Sequence, residues 1–361
     1  MKRLAPVILT SFVLLGYVFF RLDQKDMDPV QLAEIGTRYA EGDPQGTEGY
    51  DGQFTFYMAL DLSPEMVEER LDIPSYRYQR ILLPLLGRAL GGGKLERTAW
   101  ALLGINLVGQ LLGTWLVARL LEQHGWHSWY SLIYGLWVGL VMPVGLMLHE
   151  PLAYALAVAA VLLHERKESP FDILLALLAV LAKETTLFVW LSLLLVEVFE
   201  SRSKRRLAWF TATAMMYAVW QLWLYQTFGA VGLGSGGANA TGFEWIPFNG
   251  LWRIGAVSPR ALLLYSAAFG PGIVLPALWG LLSAVKTLFE DLGRGDAYML
   301  AANCAGLMFL PHSTFREPLG LIRFADGLVF SLLYYAAIRG NPKVLRYALF
   351  WIAMLAMLFN G

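Results

Sequence analysis

Residues 49–80 read GYDGQFTFYMALDLSPEMVEERLDIPSYRYQR, the longest polar and aromatic insertion in a chain that otherwise alternates apolar blocks with short charged joints. The insertion follows the first hydrophobic segment. It places Asp51 between an aromatic residue and a glycine, and it places Arg77 and Arg80 among tyrosines near its end. We therefore expect this segment to carry the chemistry and the remaining helices to hold it in place.

The composition indicates a membrane protein. Of the 361 residues, 57% are hydrophobic and only 16% are charged, whereas about a quarter of the residues in a soluble domain are charged. The 13 Trp and 16 Tyr suit the boundary between lipid and water. A formal net charge of zero argues against a nucleic-acid partner. Cys304 is the only cysteine, so no intramolecular disulfide can form.

The pattern of apolar blocks predicts an all-α fold, a polytopic helical bundle with about 10–12 transmembrane segments in one domain, residues 1–361. The first block is a retained span or a signal peptide, and the absence of a small-x-small cleavage site after it favours the span. Blocks between residues 148 and 200 are too short to cross lipid upright, which is typical of spans that line a cavity. The blocks cover residues 4–20, 81–93, 98–120, 129–148, 151–163, 171–182, 185–198, 207–228, 261–285, 298–310, 321–338 and 344–359.

Basic joints between the blocks predict the orientation, because Lys and Arg favour the cytoplasmic side. These joints are residues 1–3, 166–167, 201–206, 286–294 and 339–346. A cytoplasmic N-terminus then places a first periplasmic loop (residues 21–80), a second outer loop (229–259) and the joint 311–323 on the outer face. For the basic segments near both ends of the chain to lie on the cytoplasmic side, residues 81–93 must enter the membrane and return to the same side.

The first loop contains signals for short helices. Asp28 is placed to cap a helix over residues 29–41, a second helix can begin after Asp51, and Ser63 precedes a proline at the start of a third. We expect these helices to be amphipathic and to lie on the membrane surface.

Asp51 has two interpretations. The neighbouring glycines allow a ligand to approach the backbone, and Tyr50 and Tyr57 offer faces on which a sugar ring can stack. Burial in an aromatic pocket would raise the pKa of Asp51 and make it a general base. Alternatively, Asp51 only caps the helix that follows it.

Arginines near the membrane edge predict an anion site. Arg77 and Arg80 suit the phosphate head of a lipid, because a guanidinium group binds phosphate oxygens in pairs. Arg316 and Arg323, near the other end of the chain, can complete such a site. The alternative for the first pair is ordinary snorkelling to the interface.

Further polar groups interrupt apolar runs at Glu150 and at Lys183 and Glu184. We expect these groups to face the outer cavity, either contacting donor and acceptor or pairing with one another. Charges at membrane depth cost about 2.5–3.5 kcal/mol each on insertion scales, so each of them needs a partner or a function.

The sequence lacks the common motifs for metal and nucleotide binding, so it gives little support to metal-dependent or ATP-dependent chemistry. The five histidines show no HExxH or Cys–His spacing. Asp51 and Glu150 can hold a divalent cation only if folding brings them together. The sequence contains no Walker A motif and no nucleophile elbow, which disfavours ATP-driven transport and hydrolase chemistry.

Taken with these residues, the segments GYDGQFTFYMAL and DIPSYRYQRILLPLL, the spacing from Pro143 to Glu150 and the later AKETTL are similar to bacterial GT-C integral-membrane glycosyltransferases of cell-surface glycopolymer synthesis. The resemblance implies inverting transfer of a hexosyl or pentosyl group from a polyprenyl-phosphate donor to a glycan, lipid or protein acceptor at the outer face of the bacterial inner membrane. It implies that Asp51 is the base or orients the acceptor.

The predicted site combines these assignments. The donor-phosphate residues are Arg77, Arg80, Arg316 and Arg323, and the substrate-binding residues are Tyr50, Gln53, Tyr57, Glu150, Lys183, Glu184 and His312. The chain departs from some GT-C members in lacking a large soluble C-terminal domain and in carrying one acid, not a pair, in the first loop. The second departure leaves the need for Mg or Mn open. A rival prediction is a transporter or flippase-type carrier of lipid-linked saccharides, or a non-catalytic assembly partner.

Overall fold

The computed structural model describes residues 4–166 and 170–359. It is 77% helical and contains no strand in those ranges, which confirms the predicted all-α bundle. Four described helical stretches are long and apolar enough to cross a membrane, and they span Leu4–Asp23, Leu95–Gln123, Pro259–Glu290 and Pro318–Ile338. The other helices are shorter or more polar, so the total of 10–12 segments stays a prediction.

Most consecutive helices are joined by short connections, and the longer ones are residues 41–51 and 229–248. The α-helices are Leu4–Asp23, Thr37–Ala40, Gly52–Leu60, Pro64–Val67, Pro74–Tyr78, Leu82–Gly91, Leu95–Gln123, Leu132–Gly135, Val138–Val144, Glu150–His164, Phe171–Ala182, Leu187–Val196, Lys204–Phe228, Asn249–Val257, Pro259–Phe269, Leu275–Glu290, Gly295–Met308, His312–Arg316, Pro318–Phe324, Asp326–Ile338, Pro342–Ala348 and Phe350–Ala353. The 3₁₀ helices are Pro29–Ala33, Glu68–Arg70, Ser128–Ser131, Glu184–Thr186 and Met354–Phe359, and the π-helical turns are Glu197–Ser201 and Gly270–Val274.

The apolar block 129–148 is broken into short helices, although its composition predicts one span. All residues from 131 to 150 are buried. The long helix Leu95–Gln123 bonds the freed backbone groups of this segment: Gln110 donates to two of its carbonyls, and Asn106 donates to the Leu148 carbonyl at 2.8 Å. Irregular backbone is stable at membrane depth when protein satisfies its polar groups in this way. The break ends at Glu150.

Short helices between residues 148 and 200 are confirmed. Glu150–His164, Phe171–Ala182 and Leu187–Val196 hold 15, 12 and 10 residues. At 1.5 Å per residue the longest spans about 22 Å, less than the ~30 Å hydrocarbon core. Leu82–Gly91 has 10 residues and is likewise too short to cross. A left-handed turn at Gly92 leads from it into the next helix.

The first loop is more deeply packed than predicted. Asp28 caps a 3₁₀ helix, Pro29–Ala33, as expected, but Glu34 has a φ of 50° and ends it, so no helix covers 29–41. Helix Gly52–Leu60 begins after Asp51 as predicted. It is nevertheless not a surface helix, because every residue from 52 to 59 is buried. Two of its polar side chains have internal partners: Thr55 bonds His149 at 2.9 Å, and Gln53 donates to the Glu48 carbonyl at 2.7 Å.

The predicted outer segments meet at one end of the bundle. Backbone and side-chain hydrogen bonds join Ala238 to Asp72, Thr241 to Ser313, and Tyr50 to Glu317. Several of the predicted cytoplasmic segments also pair with one another or with their neighbours, through His124–Glu165, Arg206–Asp172 and Arg339–Asp296. Residues 1–3 and Lys167, assigned to the basic joints, lie outside the described residues.

Candidate functional site

Asp51 lies between two arginines from distant parts of the chain. Its Oδ1 atom is 2.9 Å from Arg77 Nη1, and its Oδ2 atom is 2.9 Å from Arg323 Nη1. The second pair joins residues 272 positions apart. Asp51 does not cap the helix after it, because its own backbone is already helical, with φ −54° and ψ −28°, and its side chain makes no capping hydrogen bond. The capping interpretation is wrong.

Arg77 is fixed on two sides. Its Nε and Nη2 atoms donate to the two oxygens of Asp72 at 2.7 and 2.8 Å. Its guanidinium carbon lies 4.1 Å from the centre of the Phe54 ring, a distance suited to a cation–π contact. Only the Nη1 edge is left to face Asp51. This arrangement is a preorganised anion contact and not a snorkelling side chain.

Arg80 pairs with Glu184. Its Nε and Nη2 atoms donate to the two carboxylate oxygens at 2.7 and 2.5 Å, and its guanidinium stacks on Tyr76 at 4.3 Å. Glu184 lies in the break between helices Phe171–Ala182 and Leu187–Val196. A bidentate ion pair thus binds the first loop to the region of short helices between residues 148 and 200.

Glu150 and Lys183 form a fully buried pair. Lys183 Nζ lies 2.5 Å from Glu150 Oε1, and Arg323 Nε donates to the same oxygen at 2.6 Å. Arg323 therefore lies between Glu150 and Asp51, the two acids considered for a divalent cation. The cation that folding places between them is a guanidinium group.

Charges in this cluster balance. The four cations are Arg77, Arg80, Lys183 and Arg323, and the four carboxylates are Asp51, Asp72, Glu150 and Glu184. Each cation contacts at least one carboxylate. We refer to these eight side chains as the paired-charge cluster.

The expected rise in the pKa of Asp51 is wrong. Burial alone raises this pKa, but the guanidinium groups of Arg77 and Arg323 outweigh burial and hold it well below its usual range. The same balance lowers the pKa of Asp72, whose main partner is Arg77. In this state Asp51 is a firmly ionised carboxylate and a weak base.

A cavity of about 760 Å³ opens beside the cluster. Its volume falls within the range of small-molecule sites. Nine of the predicted site residues line it: Tyr50, Asp51, Gln53, Arg77, Arg80, Lys183, Glu184, Arg316 and Arg323. The second outer loop also lines it, from Leu233 to Phe243.

Three predicted substrate-binding residues lie off the cavity wall. Glu150 is behind Arg323, Tyr57 packs in the core with Arg70 over its ring, and His312 bonds the Gly250 carbonyl at 3.2 Å. Among the residues on the wall, Gln53 uses its amide within the loop, accepting from Gly36 N at 3.1 Å.

Arg316 lines the cavity but does not join the cluster. Its side chain is exposed and has no ion-pair partner among residues 4–166 and 170–359. Only three of the four predicted phosphate-binding arginines therefore meet around Asp51 and Glu184.

Sequence reasoning missed two parts of the site. Asp72 orients Arg77, and the available signal was its position two residues before Pro74 at the start of that helix. The glycine-rich residues 229–239 of the second outer loop are the other part, because no sequence signal gave them a contact. The Ala238 N–H donates to Asp72 Oδ2 at 3.0 Å, so this segment is bound to the paired-charge cluster.

Comparison with protein-family models, with curated proteins and with solved structures gives no match. The resemblance to GT-C enzymes therefore stays a prediction based on residues 49–84 and the later motifs. The four long apolar helices support a membrane protein.

Proposed function

We propose that this chain is a GT-C-type glycosyltransferase that moves a sugar from a polyprenyl-phosphate donor to an acceptor. The observation that carries the proposal is the meeting of Asp51 with Arg77 and Arg323 at the wall of one cavity. An acid beside fixed guanidinium groups is the combination that phosphate departure and acceptor activation both need.

The proposed reaction is a single displacement with inversion. An acceptor hydroxyl attacks the anomeric carbon while the bond from that carbon to the phosphate oxygen breaks. The polyprenyl phosphate leaves with both bonding electrons, and Arg77, Arg80 and Arg323 stabilise its charge. Asp51 receives the hydroxyl proton, or it orients the acceptor while an oxygen of the departing phosphate takes that proton.

The proposed setting is a bacterial inner membrane with the N-terminus in the cytoplasm. Basic joints on one side and the cavity on the other support this orientation. The donor would keep its polyprenyl chain in the lipid and present its phosphate and sugar to the cavity on the periplasmic side.

A transport function has less support. A carrier of lipid-linked saccharides needs polar groups that continue towards the other face. In helix Glu150–His164, which runs from the paired-charge cluster to the opposite end, Tyr154 is the only polar residue between the terminal Glu and His. The other side chains in that stretch are apolar and mostly buried.

The test is sugar transfer by the purified protein, reconstituted in lipid with labelled polyprenyl-phosphate sugars and candidate acceptors. We expect Asp51→Asn to lower transfer at least about a hundredfold, the lower range for loss of a general base. Asp43→Asn is the matched control, because Asp43 is exposed and bonds only within its own turn. Full transfer by Asp51→Asn would refute the role given to Asp51.

A further inference from the structure

The paired-charge cluster leaves no cation without a counter-ion. Apart from the exposed Arg316, which lies outside the cluster, a phosphate that enters the cavity therefore meets arginines already bound to carboxylates. Bringing a further anion beside Asp51 would place like charges next to each other in a partly dry site, which is unfavourable. For a phosphate to bind the guanidinium groups, one carboxylate must leave them.

The four carboxylates differ in how firmly they are held. Side chains of Asp72 and Glu150 are 6% and 0% exposed, whereas that of Asp51 is 29% exposed. Asp72 also accepts from two backbone N–H groups, those of Ile73 and Ala238. Glu184, 16% exposed, holds Arg80 with both oxygens.

Of the four carboxylates in the cluster, Asp51 is the least firmly bound. It makes one contact to each of two arginines, both at 2.9 Å, and it accepts no backbone hydrogen bond within the described parts of the chain. It also lines the cavity directly. Asp51 is the carboxylate that can move out at the lowest cost.

The two arginines would stay in place when Asp51 moves. Arg77 remains bound to Asp72 through Nε and Nη2, and Arg323 remains bound to Glu150 through Nε. Both present an Nη1 atom to the position that the Asp51 carboxylate occupies, and Arg323 Nη1 also donates to the Tyr50 hydroxyl at 3.1 Å. Phosphate oxygens accept the same charge-assisted hydrogen bonds as carboxylate oxygens.

We propose that Asp51 is an internal counter-ion, and that the phosphate group of a ligand replaces it between Arg77 and Arg323. That the ligand is a polyprenyl phosphate rests on the function proposed above; the exchange itself requires only a phosphate. Removal of the two guanidinium contacts frees the Asp51 carboxylate to turn away from the phosphate into the open cavity. Asp51 then becomes a competent base or acceptor-orienting group only when the donor is bound.

The exchange predicts that substitution of Asp51 raises the affinity for phosphate, whereas a purely structural ion pair predicts that it lowers this affinity. A neutral residue at position 51 removes the competitor, so phosphate binds more tightly although transfer is lost. We expect Asp51→Asn to bind farnesyl phosphate about threefold to tenfold more tightly than the natural protein, because two partly exposed ion pairs no longer compete. If Asp51 only positions the arginines, affinity falls instead.

The experiment measures binding of farnesyl phosphate and, separately, of inorganic phosphate to full-length protein in detergent by titration calorimetry. Asp51→Ser is a second variant in case Asp51→Asn does not fold, and Asp43→Asn is the control that should bind like the natural protein. Tighter binding of both probes indicates a site for the phosphate group alone. Tighter binding of farnesyl phosphate only assigns the site to a lipid head.

Equal or weaker binding of both probes by the position-51 variants overturns the exchange. The binding experiment tests the exchange independently of the proposed transferase activity. Tighter binding without transfer of any tested sugar supports the exchange and counts against the transferase. Transfer by the natural protein, with no gain in affinity on removing the carboxylate, supports the transferase and refutes the exchange.

Discussion

Replacement of Lys183 by methionine tests whether the buried charges stabilise the protein by pairing. Lys183 is 2% exposed, and its Nζ atom is 2.5 Å from Glu150, which is fully buried. Methionine fills a similar volume but carries no charge. Glu150 then keeps one cationic partner, Arg323, which it shares with Asp51.

Breaking a buried ion pair by removing one partner costs about 3–5 kcal/mol. Because Arg323 still compensates Glu150 in part, we expect Lys183→Met to lie at the lower end, about 3 kcal/mol. A chain of this size shifts its melting temperature by roughly 2 °C per kcal/mol, so the loss is about 6 °C. Glu150→Gln should cost more, because it leaves two buried cations without their shared anion.

The assay is thermal unfolding of the single variants and of Lys183→Met combined with Glu150→Gln. In the double variant both charges of the pair are gone, and the Gln carbonyl can still accept from Arg323. We therefore expect the double variant to be more stable than either single variant. A double variant that loses the sum of the two single losses would show that packing, and not charge pairing, sets the stability here.

Two further predictions concern the second outer loop and the opposite end of the bundle. A Cβ on Gly237 would lie 2.9 Å from Asp72 Oδ2, so Gly237→Ala should weaken phosphate binding several-fold. Gly242→Ala is the control, because a Cβ there meets nothing within 4 Å. Equal titration curves for the two variants would count against a role for the contact between Gly237 and Asp72. The hydrogen bond that His124 donates to the Glu165 carboxylate raises the pKa of His124. The charged pair therefore contributes its stability fully below about pH 6.5 and loses it as the pH rises through the raised pKa. His124→Gln should therefore lower the melting temperature at pH 6 and have little effect at pH 9; a loss independent of pH would contradict this reasoning.

The helical bundle and the residue types of the site could be predicted because both depend on local pattern. Apolar blocks of membrane length indicate helices, and charges that interrupt them must have partners. The partners themselves could not be predicted. No periodicity links Asp51 to Arg323, which contact each other across 272 positions. The direction of the Asp51 pKa shift depends on that contact and therefore could not be predicted from local pattern.

Composition also does not distinguish a transmembrane helix from an irregular apolar segment buried inside the protein. Residues 131–148 are as apolar as a transmembrane helix because they are buried on all sides. Their breaks depend on Asn106 and Gln110 of a neighbouring helix, which bond their carbonyls. Helix Gly52–Leu60 was misread as interfacial for a related reason, because the partner of Thr55 is His149, far along the chain.

The charge balance of the cluster connects folding with function. Unpaired charges at membrane depth cost about 2.5–3.5 kcal/mol each, so a buried cluster of four cations is stable only if carboxylates neutralise it. The same arginines must bind a phosphate if the protein acts on a lipid-linked sugar. Both requirements are met when three carboxylates are held firmly and one is exchangeable. By its exposure and its contacts, Asp51 fits the exchangeable position best. The proposed exchange would then account for a carboxylate proposed for catalysis being held by two arginines in the structure.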